Sequence, residues 1–165
     1  VSEKEEKPYR PNVGMVVFNR EGKLLAGERI QYPDAWQFPQ GGIDEGENPD
    51  DASKRELFEE VGISNPELVA IFPEWIHYDF PPNMELKGKL ANYKGQVQRW
   101  YLYYWNHNSS DCNLELHERE FIQVKFMSWK EIIDSIVAFK KDIYKQLQPE
   151  FSSQIEKFLT TQNRY

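Results

Sequence analysis

Three glutamates, Glu56, Glu59 and Glu60, crowd one short stretch, RELFEEVGI. At about 100° per residue they share one sector about 100° wide on roughly one helical turn. Like charges three and four residues apart repel by roughly 0.2–0.5 kcal/mol per pair. Glu59 and Glu60 also sit near the C-terminal end, where the helix dipole disfavours anions. Arg55 reaches Glu59 at spacing i, i+4, but one arginine does not neutralise three carboxylates. A bound hard cation would help: Mg²⁺ takes oxygen ligands and keeps several waters. The competing reading is a solvated acidic face, and the three glutamates alone do not exclude it.

The element that must position them is legible around them. Asn48 is a good N-cap and Pro49 suits the first helical position. Asp50 and Asp51 fall in the first turn, where negative charge is favoured. Gly62 is placed to end the helix in a left-handed conformation. Leu57, Phe58 and Val61 take the arc opposite the glutamates and are expected to anchor the helix to a core. Upstream, Gly41 and Gly42 permit close backbone approach, so the carbonyls of Gln40 and Gly41 could complete a metal shell.

The spacing settles the choice between the two readings. Gly41, five residues, Glu47, seven residues, Arg55-Glu56-Leu57, one residue, Glu59-Glu60, one residue and Gly62-Ile63 match every specified position of the Nudix box. Seven fixed identities at fixed spacing occur by chance on the order of once in 10⁸ starting positions. The chain therefore resembles the Nudix hydrolases, which implies Mg²⁺- or Mn²⁺-dependent hydrolysis of a nucleoside diphosphate linked to another moiety. Cleaving a phosphoanhydride needs an in-line water, neutralised charge and a base. Glu56 and Glu60, at i, i+4, are the first choice for metal ligands, with Glu59 next as a ligand or water-orienting group. Arg55 is assigned to orienting Glu59, and Glu47 to holding the loop through Arg55 or backbone N–H groups. A distant carboxylate often completes such sites. Among Glu115, Glu118 and Glu120, the last immediately precedes a strand and resembles that carboxylate in placement. Glu120 is expected to be a further metal ligand or the general base.

The rest of the chain bounds the answer. Its 165 residues carry a net charge of −7, with 15% aromatics and one cysteine, Cys112. The length suits one domain, expected over 9–165 after a charged tail at 1–8. The charge argues against wrapping long nucleic acid but not against a small polyphosphate, because site metals reverse the local sign. No apolar run approaches a membrane span and no secretory signal stands out. A cytoplasmic monomer is expected.

In chain order, Val13 to Phe18 reads as a buried strand, Asn19 to Gly22 as a hairpin turn and Lys23 to Arg29 as its return. Trp36 to Phe38 is a short strand. Leu68 to Phe72 and Trp75 to Tyr78 read as strands, and Val97 to Asn106 as a central aromatic strand. Between them, 81–96 is a long loop, uncommon unless functional or disordered. It carries Lys87, Lys89 and Lys94, followed by Arg99, as candidate phosphate partners. Leu114 to Glu118 reads as a short edge strand and Phe121 to Trp129 as a strand ending in a Ser128 cap. Lys130 to Ile136 and Phe139 to Leu159 read as helical, with a break or new start at Pro149. His77, His107 and His117 show no metal-ligand spacing, and His117 is placed nearest the acids. This order indicates an α/β fold, an α/β/α sandwich with a mixed central sheet.

Beyond the box, Tyr9-Arg10-Pro11-Asn12-Val13-Gly14, Trp36-Gln37-Phe38-Pro39-Gln40-Gly41-Gly42 and Phe139-Lys140-Lys141-Asp142-Ile143-Tyr144 are similar to one branch of that family. It comprises the plant-type diadenosine tetraphosphate hydrolases and bacterial RNA 5′-pyrophosphohydrolases. The resemblance implies asymmetric cleavage of diadenosine tetraphosphate to ATP and AMP. The alternatives are removal of pyrophosphate from triphosphorylated RNA and, from another class, a non-catalytic nucleotide-binding module. By the same resemblance Arg29, Lys87 and Lys89 are expected to bind phosphates, and Tyr78 or Phe139 to stack a base.

Overall fold

The computed structural model describes residues 6–162. Of the expected tail, residues 1–5 lie outside the described residues, as do 163–165. One eight-stranded mixed sheet forms the middle of the molecule. Its axis is the parallel pair of β1 (Tyr9–Phe18) and β7 (Gly95–Tyr104), in register from Tyr9 opposite Gly95 to Phe18 opposite Tyr104. On one side of β1 lie β2 (Leu24–Arg29), β3 (Trp36–Gln37) and, paired with β2, β8 (Phe121–Met127). On the other side β7 pairs antiparallel with β5 (Glu67–Ile71) and β6 (Ile76–Asp79). The short β4 (Gln40–Gly42) pairs with the first half of β1, Asn12 opposite Gly42.

Period-two alternation along β1 and β7 splits the core into two layers. Val13, Met15, Val17, Tyr101 and Tyr103 face helix α1 (Pro49–Val61), which contributes Ala52, Leu57 and Val61. Val16, Phe18, Trp100 and Leu102 face α2 (Trp129–Ser135) and α3 (Lys141–Gln162), which contribute Ile132, Ile143, Tyr144, Leu147 and Phe151. Helices thus cover both faces of the sheet, the expected α/β/α arrangement.

Four expectations change. Phe58 is 44% exposed, so α1 docks through Ala52, Ser53, Leu57 and Val61 instead. Leu114 to Glu118 forms no strand; Asn113 Oδ1 accepts from Glu115 N at 2.9 Å, and Asn113 N donates to Val61 O, so local bonds replace a ladder. Pro149 does not break α3. The buried face Ile143, Leu147, Phe151 and Ile155 runs straight past it, and packing outweighs one lost backbone bond. Within the expected tail, Lys7 and Pro8 are bonded to the 81–94 segment.

Candidate active site

The site is built where β4 meets α1. The Asn48 side chain accepts from Asp50 N at 2.8 Å and starts the helix; Gly62, at φ 75°, stops it with its N–H on Phe58 O. Two tyrosines of β7 fix the helix to the sheet: the Tyr101 hydroxyl donates to Asp50, and Tyr103 Oη lies 2.5 Å from Ser53 Oγ. With α1 held, its glutamates project beside β4. Gly41 has no space for a side chain, because a Cβ there would lie 2.0 Å from the Glu56 carboxylate carbon. Glycine is therefore required for the backbone to lie against that carboxylate.

Arg55 organises the acids. Its Nε donates to Glu47 Oε2 at 2.8 Å and its Nη2 to Glu47 Oε1 at 2.9 Å, a bidentate pair. Nη2 also donates to Gly42 O at 2.9 Å, and Nη1 to Glu56 Oε1 at 2.9 Å and Glu59 Oε2 at 3.0 Å. Glu47 Oε1 in turn accepts from Asp44 N at 3.0 Å, closing the loop before the helix. The guanidinium holds the Glu47 carboxyl below its ordinary range.

Glu56 and Glu60 shift the other way from Glu47. Burial pushes the Glu56 carboxyl up, Arg55 opposes it, and the charges of Glu59 and Glu120 add to the rise. Burial raises Glu60 still further, helped by Glu120 and Glu56, against the Gln40 N–H, which donates to Glu60 Oε2 at 3.1 Å. Three carboxylates from two distant segments, Glu56, Glu60 and Glu120, thus share one electrostatic environment. Glu120 is placed by its own backbone, whose carbonyl accepts from Ile30 N at 3.0 Å, and by Arg119, which donates to Phe121 O and Ile122 O. Among the described residues no three acids or histidines are already drawn into a metal cage. The donor set nevertheless fits a hard cation: oxygen-only, mutually repelling, and beside glycine backbone carbonyls.

These carboxylates line a groove of ≈ 1010 Å³. Opposite charge comes from Arg10, Arg29, Lys87, Arg119 and Lys140, all lining the same groove. An aromatic corner completes it: the Tyr78 ring lies 5.8 Å from Phe139 and 6.0 Å from Phe80. Burial lifts the Tyr78 phenol to about 12, so it remains a proton donor; its hydroxyl accepts from Gln96. Asn12 Nδ2, Gln96 Oε1 and Arg29 Nε are buried without a hydrogen-bond partner among the described residues, polar groups suited to a polar ligand.

Of the residues singled out from the sequence, Glu56, Glu60, Glu118, Glu120, Gln40, Gly41, Arg29, Tyr78, Lys87 and Phe139 meet in the groove, and Glu115 does not line it. Glu59 stands beside it, bound by Arg55, with His117 Nε2 4.0 Å from its carboxylate. Lys89 sits exposed on the 3₁₀ turn Gly88–Asn92 and is not part of the lining. Lys94 packs over the Tyr9 ring, and Arg99 lies between Asp50, Trp75 and Tyr101. Neither is a groove residue.

Three groove cations, Arg10, Arg119 and Lys140, carried no role in the sequence reading. Arg10 packs against Gly42, and Lys140, 3% exposed, donates to Gln37 Oε1 at 3.1 Å. The usable signal for Lys140 was a lysine beside the apolar face of a helical region, a costly place for charge without an anionic neighbour.

Comparison with known proteins gives the family and the fold. A family model for the NUDIX domain matches residues 8–147. An RNA pyrophosphohydrolase of Cereibacter sphaeroides is 44% identical over 149 residues, covering 87% of this chain and 91% of that protein. Nudix hydrolase 26, chloroplastic, of Arabidopsis thaliana is 39% identical over 154 residues, covering 90% and 71%. A C. elegans Ap4A hydrolase in a binary complex shares the fold with TM-score 0.61 and 23% identity, covering 87% and 98%.

Proposed function

This chain belongs to the Nudix family, and from that membership we propose that it removes pyrophosphate from the 5′-triphosphate end of RNA. The observation that carries the reading is that one groove holds Glu56, Glu60 and Glu120 together with Arg10, Arg29 and Lys140. Acids for a divalent cation and cations for phosphates stand where a polyphosphate could meet both. The 44% identity to an RNA pyrophosphohydrolase, nearly end to end, favours RNA over the dinucleotide expected from the sequence.

Water adds to a phosphorus of the triphosphate, one P–O bond breaks, and the products are a 5′-monophosphate end and pyrophosphate. Bound there, Mg²⁺ or Mn²⁺ would supply positive charge and lower the pKa of a water. Glu56 and Glu60 would hold it, with Gln40 and Gly41 carbonyls beside them. Arg55 keeps Glu56 and Glu59 oriented. Glu120 is our choice for accepting the proton of the water, because it comes from outside the box and its charge acts on both Glu56 and Glu60. Arg29, Lys140 and Lys87 bind phosphate oxygens, and Tyr78 with Phe139 receives the first base.

Cleavage of diadenosine tetraphosphate to ATP and AMP is the second reading. It is favoured by the aromatic corner and by a net charge of −7, which suits a compact substrate. Parallel assays with Mg²⁺ decide. We expect kcat/KM for a triphosphorylated oligonucleotide to exceed that for the dinucleotide by at least about tenfold; the reverse order would sink the RNA reading. Absence of product from both would leave a binding module.

A further inference from the structure

The 81–94 segment builds one wall of the groove through Met84, Leu86, Lys87 and Leu90. Little of its own structure holds it. Met84 N bonds Pro81 O at 3.0 Å, and one 3₁₀ turn closes with Tyr93 N on Leu90 O at 3.1 Å. Most of its side chains are exposed or half-buried. A wall so lightly packed samples many conformations unless something outside it restrains it.

That restraint comes from the first described residues. Lys7 Nζ donates to Ala91 O at 2.9 Å. Lys94 N donates to Pro8 O at 3.0 Å, beside the closing bond from Phe80 N to Lys94 O at 2.9 Å. The Tyr9 hydroxyl donates to Asp79 Oδ1 at 2.5 Å, at the other foot of the segment. The Lys94 ammonium sits 4.6 Å above the Tyr9 ring, which packs edge-on to His77. Its bond to Asp79 raises the Tyr9 phenol above its ordinary value, so the donor keeps its proton. Three consecutive residues thus grip the loop at both feet and at its far turn, and none of the three lines the groove.

We propose that Lys7, Pro8 and Tyr9 form a brace that positions the 81–94 wall for substrate, making Lys7 and Tyr9 positioning residues of the hydrolase. The inference rests on the groove being the substrate site. Releasing the brace lowers the fraction of molecules whose wall is in place, and apparent affinity falls by that fraction. The carboxylates belong to β4's neighbour α1 and to the Glu120 segment, which the brace does not touch. The defect therefore falls on KM and spares kcat.

The test compares the wild type with Lys7→Met, Tyr9→Phe and the double variant. Both changes keep apolar bulk and remove one hydrogen bond. Amide hydrogen exchange is read without substrate, and KM and kcat on triphosphorylated oligonucleotide and on diadenosine tetraphosphate. We expect faster exchange across 82–92 and unchanged exchange across 49–61. We expect KM to rise about three- to tenfold in the double variant, with kcat within about twofold. Unchanged exchange across 82–92 overturns the brace. Faster exchange with an unchanged KM overturns its role in binding. A variant that loses protection everywhere is unfolding and is replaced by the milder single change. If the wild type turns over neither nucleotide, the functional reading has failed, and the exchange data still decide the brace.

Discussion

Glu60 carries its negative charge at a cost. Burial and two neighbouring acids raise its carboxyl well above the ordinary value. Glu60→Gln should keep the acceptor for Gln40 N and shed that penalty. Turnover should fall roughly 10²-fold or more, while the metal-free melting temperature at pH 7 holds or rises. Mg²⁺ should raise the melting temperature of the wild type and not of the variant; equal shifts would remove Glu60 from the metal site. Lys140 has the mirror problem. Burial, with Arg29 adding, brings its ammonium down to about 7, against Glu60 and Glu120. The unfolded chain keeps that proton to above pH 10. Between pH 7 and 10 the unfolded state therefore binds more protons, and stability rises with pH; below 7 the full penalty applies. Lys140→Met should flatten this slope, by at most about 1.4 kcal/mol per pH unit, as read from urea titrations at pH 7 to 9. The box acids were legible from spacing because one helix turn sets their geometry. Lys140 and Arg10 were not, because their meeting depends on β1 and the start of α3 converging on the groove.

At the scale of elements, the segment carrying Gln40 and Gly41 is pinned from the opposite layer. The Phe38 N–H donates to the buried Tyr144 hydroxyl of α3 at 2.9 Å. Tyr144→Phe leaves that donor unpaired in the core and should cost about 1–3 kcal/mol, measured by thermal or urea denaturation. A loss near zero would mean the strand is held by its ladder alone. Elements with regular periodicity were legible: β1, β2, β7, β8 and α1 lie within a few residues of their expected bounds. Those governed by tertiary context were not. Leu114 and Leu116 alternate like a strand, yet Asn113 and Arg119 engage the backbone around them. β4, three residues containing two glycines, has no periodicity to read and exists because β1 offers it an edge.

Across the whole molecule, charge is unevenly spread: the chain carries −7, while in the groove five cations, Arg10, Arg29, Lys87, Arg119 and Lys140, offset five glutamates. Affinity for RNA should then reside at the 5′ end and not along the strand. KM for triphosphorylated oligonucleotides should change less than about threefold from four nucleotides to forty, and salt should weaken binding with the shallow slope of about two or three phosphate contacts. A KM that falls steadily with length would reveal a basic track elsewhere. The sheet's axis has an implication for how the protein is made. β1 finds its long parallel neighbour only in β7, some eighty residues later. On the ribosome the acidic helix emerges well before residue 104, with no finished floor to dock on. The nascent enzyme must wait, unable to take up metal or substrate, until the second half of the chain arrives to close the centre.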